Sequence, residues 1–98
     1  MQYPYSRPFL NDDDIAEVMS VLQGQFLTQG PVVVRLEKAL QELFSVKHAV
    51  VCNSGTAALH MTYVGLELGP DAGLITSAVT FLATANAARM CNAPVGFA

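Results

Sequence analysis

The chain has 98 residues, a length that suits one small domain with a single core. It is 52% hydrophobic and only 13% charged, about half the charged fraction of an ordinary soluble domain. So few charges cannot cover a small particle with a high surface-to-volume ratio. We therefore expect much of its surface to be buried against something else.

The charge distribution excludes several classes of partner. The net charge is -3 and the five basic residues are scattered, so the sequence has no Lys/Arg face for nucleic acid. The start has no apolar run typical of a signal peptide, and no later stretch has the roughly 18 consecutive apolar residues of a membrane span. We expect a cytoplasmic protein.

Cys52 and Cys91 have no CxxC or His neighbour at ligand spacing, which favours reduced core thiols over a metal site.

The two halves of the chain differ in charge. Ten of the thirteen charged residues precede His48, so the second half is typical of a protein interior. Residues 93–98 resemble a turn entering a strand, and we expect residues 1–98 to be a single fragment of a longer protein. Residues 1–47 form an N-terminal arm and two helices in this interpretation. Residues 48–98 begin an α/β domain that is incomplete at its C-terminus.

The first half contains two amphipathic patterns. Asn11 can cap a helix whose first turn holds the carboxylates of residues 12–14, and Gly24 can end it. After the connection over residues 26–31, a second helix is predicted with charged residues on its wet side. The apolar positions that define the two faces are Ile15, Val18, Met19 and Leu22 in the first helix, and Val33, Leu36, Leu40, Leu43 and Phe44 in the second.

The second half changes to an α/β pattern. The short apolar run His48–Cys52 predicts a strand buried on both faces, and residues 53–56 turn the chain into a helix that closes at Gly69. A second strand is predicted from about Leu74 to Ser77, a helix from about Leu82 to Cys91, and a third strand from Val95. The fold class is therefore α/β: two helices followed by βαβαβ with parallel strands, whose ligands bind beyond the carboxyl ends of those strands.

The turn Asn53–Thr56 is a candidate phosphate site. Glycine lets the backbone approach a phosphate oxygen, the hydroxyls of Ser54 and Thr56 can donate to it, and the helix start favours an anion. The alternative is that Ser54 or Thr56 only caps the helix. The sequence has no GxGxxG or GxxxxGK[ST] motif and lacks the first glycine of a nucleophile elbow. His48 and His60 are interpreted as structural.

Five ordered blocks carry a family resemblance. The chain resembles the N-terminal third of the DegT/DnrJ/StrS sugar aminotransferases, and its opening and Leu-Thr-Gln-Gly segment are most similar to enzymes that aminate UDP-linked 4-keto-6-deoxy sugars in pseudaminic-acid biosynthesis. The blocks are Phe26–Gly30, the Leu36-Glu37 helix, Val46–Val50, Asn53–His60 and Thr80–Ala87.

The resemblance implies a fold-type I large domain that binds pyridoxal 5'-phosphate, in a homodimer with glutamate as the typical amino donor. Ser54, Gly55 and Thr56 would bind the cofactor's phosphate. Phe81 would lie over the pyridine ring, whereas without the resemblance it is interpreted as a core aromatic. The nucleotide-sugar substrate would contact Tyr5, Gln25, Phe26, Leu27 and Thr28.

The chain departs from the family's catalytic pattern. The resemblance places the lysine that holds the cofactor, and the aspartate that pairs with the pyridinium nitrogen, downstream of Ala98. Lys38 and Lys47 match neither the place nor the context of that lysine, so we expect no catalytic residue in this fragment and no activity from it alone. Two alternatives stay open: a non-catalytic phosphate-binding or interaction module, and a pyridoxal-phosphate sugar dehydratase, in which histidine replaces the lysine.

Overall fold

The structure is a computed structural model that describes residues 5–98. The chain divides into two compact units, of which the first ends at Ala49 and the second spans Val50–Ala98. The first unit holds two helices, and the second alternates helices with strands. The elements are α1 (Asp12–Leu22), α2 (Pro31–Phe44), α3 (Gly55–Gly65), β1 (Leu74–Thr76), α4 (Ala83–Met90) and β2 (Val95–Phe97).

Helix α1 begins at a capping box. The side chain of Asn11 accepts a hydrogen bond from the Asp14 N–H at 2.9 Å, and the Asp14 carboxylate accepts one from the Asn11 N–H at 3.0 Å. These two bonds satisfy backbone donors that a helix start leaves unpaired, and the acidic first turn complements the helix dipole. The predicted start is confirmed, and the helix ends at Leu22, two residues before Gly24.

Helix α2 follows a tight connection. Gly30 is its N-cap residue and Pro31 occupies the first turn, where the N–H that proline lacks would have no intrahelical acceptor. A Cβ at Gly30 would lie 3.1 Å from the Cβ of Phe26, so the close approach of these two residues favours glycine. An ion pair between Arg35 and Glu17 joins α2 to α1. Within residues 5–49 no residue is buried.

The second unit forms a small core around a parallel strand pair. Strand β1 pairs with β2 in the register Leu74 with Val95 through Thr76 with Phe97, and α4 connects them. This parallel pair and the α4 crossover agree with the predicted second and third strands and the helix between them. Small side chains let α4 pack closely against α3. The central cluster consists of Tyr63, Ala87, Ala88 and Ala93, with Leu59, Leu68, Leu74, Cys91 and Val95 packed around it.

The strand predicted over His48–Cys52 is wrong for this structure. Residues 48–52 adopt no strand, Val50 is 70% exposed and Cys52 is exposed. A strand exists through its ladder of hydrogen bonds to a neighbour, and the sheet described for residues 5–98 consists of β1 and β2 paired with each other. The observed order is therefore α3, β1, α4, β2 rather than a complete βαβαβ. The expectation that Cys52 is a core thiol is also wrong, while Cys91 packs against the core.

Candidate functional site

Ser54 is the N-cap of α3. Its hydroxyl oxygen accepts a hydrogen bond from the Ala57 N–H at 3.2 Å, and the hydroxyl lies 3.4 Å from Oδ1 of Asn53, to which it can donate. The capping interpretation of Ser54 is therefore confirmed. The Ser54 hydroxyl therefore accepts one hydrogen bond and can donate another within the protein. Its main role here is to stabilise the start of α3, not to donate to a ligand.

Gly55 and Thr56 form the open part of this helix start. The first turn of a helix leaves its leading N–H groups without intrahelical acceptors, and Ser54 takes only that of Ala57. A Cβ built on Gly55 would meet nothing within 4 Å, so there is open space for an oxygen atom to approach the backbone. Both residues are exposed. The backbone donors, the Thr56 hydroxyl and the helix dipole are arranged to suit an anion.

Cys52 and Asn53 support the same turn, although the sequence alone did not assign a role to either side chain. The Cys52 thiol donates to the Ser54 carbonyl at 3.2 Å, and the same carbonyl accepts from the Ala58 N–H at 3.0 Å. Asn53 holds the Ser54 hydroxyl. A polar side chain directly before an N-cap serine is the signal that could have identified Asn53.

Phe81 lies at the entrance to α4. Its carbonyl accepts from the Thr84 N–H at 3.1 Å, and the residue is 73% exposed. The core-aromatic interpretation of Phe81 is therefore wrong within the described residues, and the ring is available to cover a ligand. Thr80 and Thr84 are joined at this entrance by a hydroxyl contact of 3.3 Å.

The predicted substrate residues belong to the first unit. Gln25, Phe26, Leu27 and Thr28 are exposed on the connection between α1 and α2, and the next residue, Gln29, has a positive φ of 52° that turns the chain toward α2. These four residues are consecutive, so they share one exposed segment of the chain. Tyr5 lies on the N-terminal arm with its side chain fully exposed.

Metal ligation and membrane crossing were both weighed for residues 5–98 by the side chains and helices they would need. No group of three or more His, Cys, Asp or Glu side chains in this range is arranged to hold a metal ion. Within the same range, no helix has both the length and the apolar character that crossing a membrane requires.

These observations define an α/β fold with an exposed glycine-threonine helix start. Residues 8–98 match the model of the DegT/DnrJ/EryC1/StrS aminotransferase family. The chain belongs to this family, and the α/β fold class predicted from the sequence is confirmed.

Curated relatives cover nearly all of the chain. It is 42% identical over 93 residues to a UDP-4-amino-4,6-dideoxy-N-acetyl-beta-L-altrosamine transaminase of Campylobacter jejuni, a match over 95% of this chain and 24% of the relative. It is 41% identical to the spore coat polysaccharide biosynthesis protein SpsC of Bacillus subtilis, over 85% of this chain and 21% of that protein. The chain thus spans about a quarter of the length of the relatives it matches.

Solved structures of aminotransferases also match nearly the whole of this chain. Spr1654 of Streptococcus pneumoniae, assigned as a sugar aminotransferase, superposes in its PLP form with a TM-score of 0.90 at 30% identity, over 99% of this chain and 25% of that chain. Helicobacter pylori PseC, an aminotransferase of pseudoaminic acid biosynthesis, superposes with a TM-score of 0.88 at 35% identity, over 100% and 27%. Spr1654 was also solved in a PMP form. The predicted cofactor, pyridoxal 5'-phosphate, is confirmed for the family.

Proposed function

We propose that the chain is the cofactor-binding N-terminal part of a pyridoxal-phosphate-dependent aminotransferase that acts on a nucleotide-linked keto sugar. The observation that carries this proposal is the open start of α3, where Gly55 and Thr56 present backbone donors beside unfilled space. The family membership and the names of the sugar-nucleotide relatives support it.

The residues of this unit fit the cofactor's phosphate. Gly55 lets a phosphate oxygen reach the backbone, Thr56 adds a hydroxyl donor, and the positive end of α3 favours the charge. Ser54 keeps the first turn of α3 in place through its bond to the Ala57 N–H. Phe81, with its exposed ring, would cover the pyridine face.

Pyridoxal phosphate, when bound, supplies the group that accepts an amino group from the donor and passes it on to the sugar. This chain's part is to bind and orient the cofactor. Lys38 and Lys47 are exposed in the first unit, and neither lies in the context of a cofactor-holding lysine. We therefore infer that the 98-residue chain has no transaminase activity alone and that the lysine comes from another part of the whole protein.

The substrate proposal rests on the first unit. A nucleotide sugar is much larger than the cofactor, so its distal parts must contact segments outside the phosphate loop. Tyr5 and the residues Gln25–Thr28 are exposed and available for such contacts, which would position the reacting carbonyl. Glutamate as the amino donor, a homodimeric assembly and a cytoplasmic location complete the proposal.

Replacing Thr56 tests the phosphate site. Thr56→Ala in the whole protein removes a hydroxyl donor to a charged phosphate, a contact of roughly 1.5–3 kcal/mol, so cofactor affinity should fall about tenfold to a hundredfold. Titration of the apo-protein with pyridoxal phosphate, followed by absorbance, measures it. Wild-type affinity in Thr56→Ala would refute the assignment.

Ser54→Ala is the matched comparison at the neighbouring hydroxyl. Because the Ser54 hydroxyl is engaged with Asn53 and the Ala57 N–H, its removal should weaken cofactor binding less than Thr56→Ala does. It should instead cost about 1 kcal/mol of helix stability through loss of the cap. A larger loss of cofactor affinity in Ser54→Ala than in Thr56→Ala would reverse the roles given to the two residues.

The two half-reactions test the substrate class. Thr28→Trp should raise KM for the nucleotide sugar or lower its turnover while leaving the glutamate half-reaction nearly unchanged, because Thr28 lies on the proposed sugar-nucleotide segment. The change in cofactor absorbance follows each half-reaction separately. Equal losses in both, or activity of the wild type with 2-oxo acids only, would exclude the sugar-nucleotide function.

A further inference from the structure

The entrance to α4 differs from the starts of α1 and α3, which side chains cap. Within residues 5–98, no side-chain hydrogen bond caps α4, and its N-cap residue Leu82 has helical φ and ψ. The helix begins through backbone bonds instead: the Phe81 carbonyl accepts from the Thr84 N–H at 3.1 Å, and the Leu82 carbonyl accepts from the Asn86 N–H at 3.0 Å. A helix start without a capping side chain frays more readily. The conformation of this entrance therefore depends on other contacts.

Two threonine hydroxyls make a contact across the entrance. Oγ1 of Thr80 and Oγ1 of Thr84 lie 3.3 Å apart, and either can donate to the other. Phe81 lies between these two threonines in the chain, so the contact spans it. Ala83, in the same turn, is only 4% exposed and anchors the first turn of α4. The hydroxyl pair, Thr80 and Thr84, therefore links the segment before Phe81 to a helical turn that is held by burial.

The side chain of Phe81 depends on this link for its position. The residue is 73% exposed, so packing within residues 5–98 leaves most of its ring uncovered. A side chain that is free to change rotamer loses that freedom when a ligand binds against it, and the loss weakens binding. Stacking of two rings is also favourable only in particular offset geometries. A backbone that is fixed on both sides of Phe81 limits the positions that the ring can take before the ligand arrives.

We propose that the hydroxyl pair positions Phe81 over the pyridine ring of the bound cofactor. The inference rests on the proposed function and adds Thr80 and Thr84 to the residues that govern cofactor affinity. Both are positioning residues, because they act through the backbone on either side of Phe81 and not by contact with the cofactor. One hydrogen bond needs both hydroxyls, so the loss of either should weaken cofactor binding as much as the loss of both.

Titration of the whole apo-protein with pyridoxal phosphate tests the hydroxyl pair. Thr84→Val keeps the shape of the side chain without its hydroxyl and should raise the Kd about three- to tenfold, the range for one neutral hydrogen bond. Thr84→Ser keeps the hydroxyl and should restore the wild-type Kd. Thr62→Val is the matched control. The Thr62 hydroxyl donates to the Ala58 carbonyl at 2.9 Å within α3, and its removal should leave the Kd unchanged.

Thr80→Val tests the same hydrogen bond from its other end. Thr80 is exposed, so this substitution keeps the proposal testable even if Thr84→Val does not fold. Its Kd should rise as much as that of Thr84→Val, and the double variant should show no further rise. Thermal unfolding verifies that each variant is folded.

A double-mutant cycle with Phe81 shows whether the hydroxyl pair acts through the ring. Phe81→Ala should raise the Kd for pyridoxal phosphate. In that background Thr84→Val should cause little further rise, because no ring is left to position. The circular dichroism of the bound cofactor reports its asymmetric surroundings. This signal should weaken in Thr84→Val and recover in Thr84→Ser, whereas a merely structural role of the hydroxyl would leave it unchanged.

The outcomes separate this inference from the proposed function. The role of the hydroxyl pair would be overturned by equal Kd values for Thr84→Val and Thr62→Val, or by the same rise in Thr84→Val with and without the Phe81 ring. Wild-type affinity in Phe81→Ala would also overturn it. Each of these results would leave the phosphate contact of Thr56 standing. A wild-type protein that bound no pyridoxal phosphate would overturn both the inference and the proposed function.

Discussion

The two units use apolar residues in different ways. In residues 50–98, α3 and α4 pack together beside the parallel strands, and Ala87 and Ala88 are completely buried. In residues 5–49, α1 and α2 each carry an apolar face, yet no residue is buried. An amphipathic helix provides an apolar face, but that face becomes buried only when another element of the protein packs against it.

Side-chain size explains part of the difference. Alanines at the contact let α4 approach its neighbours closely, and Tyr63 from α3 fills the space between them. The first unit instead carries large side chains on its apolar faces that remain 46–59% exposed. These are Ile15, Val18, Met19, Leu22 and Leu36. A contiguous exposed apolar surface is typical of a region that another surface covers in an assembled protein.

The largest expected difference concerns the 98-residue chain in isolation. Amide hydrogens of α3 and α4 should exchange much more slowly than those of α1 and α2, because these two helices pack around the core cluster, whereas none of residues 5–49 is buried. We also expect the chain to associate through its uncovered apolar faces. Hydrogen exchange followed by mass spectrometry measures the protection of each helix, and sedimentation measures the association of the chain. A monodisperse monomer with equal protection in both units would contradict the comparison.

Tyr63→Ala should be the most destabilising single substitution in the core of the second unit. It removes the largest side chain of the core cluster, at a cost of about 3–5 kcal/mol in the free energy of unfolding of that unit. Met61→Ala, on the same helix at a position 43% exposed, is the control and should cost much less. Urea unfolding measures the two variants, and similar losses would show that the core of α3 and α4 is not what stabilises this unit.

Replacement of two glycines of the second unit by alanine should change the stability of that unit in opposite directions. A Cβ at Gly73 would lie 2.9 Å from the Pro94 carbonyl oxygen, which accepts the hydrogen bond from the Leu74 N–H beside the strand pair. Gly73→Ala should therefore destabilise the unit by roughly 1–3 kcal/mol. A Cβ at Gly65, the last residue of α3, meets nothing within 4 Å, so Gly65→Ala should stabilise it by about 0.5–1 kcal/mol. Thermal unfolding distinguishes the two signs.

In the first unit, a small loss of stability is expected at the capping box of α1. Asn11→Ala removes the acceptor for the Asp14 N–H and should reduce the stability of α1 by about 1 kcal/mol. Asp13→Ala, which removes only a first-turn charge, is the control and should cost about 0.3–1 kcal/mol. Amide exchange of α1 reports the difference. If both variants lost equal protection from amide exchange in α1, the cap hydrogen bonds would stabilise the helix no more than the interaction of a first-turn charge with the helix dipole does.

Helices were predictable where a local signal existed. The start of α1 follows from Asn11 and its acidic turn, and α4 and the strand from Val95 follow from their periodicity and breakers. The strand over His48–Cys52 was not predictable in the same way, because its apolar run describes burial and says nothing about a ladder partner. The exposed ring of Phe81 also differs from its core interpretation for this reason: an apolar side chain does not reveal which surface covers it.

The sequence by itself determined which segments are helical, where each helix begins, and that a glycine and a hydroxyl residue stand at the start of α3. Those features depend on residues within one turn of each other, so local hydrogen bonding and backbone freedom decide them. The tertiary structure alone decided that Gly55 faces open space and that Arg35 meets Glu17 across two helices. Both features depend on how the chain folds around each position. A contact between residues far apart in the sequence, such as Arg35 and Glu17, has no local sequence pattern from which it could be predicted.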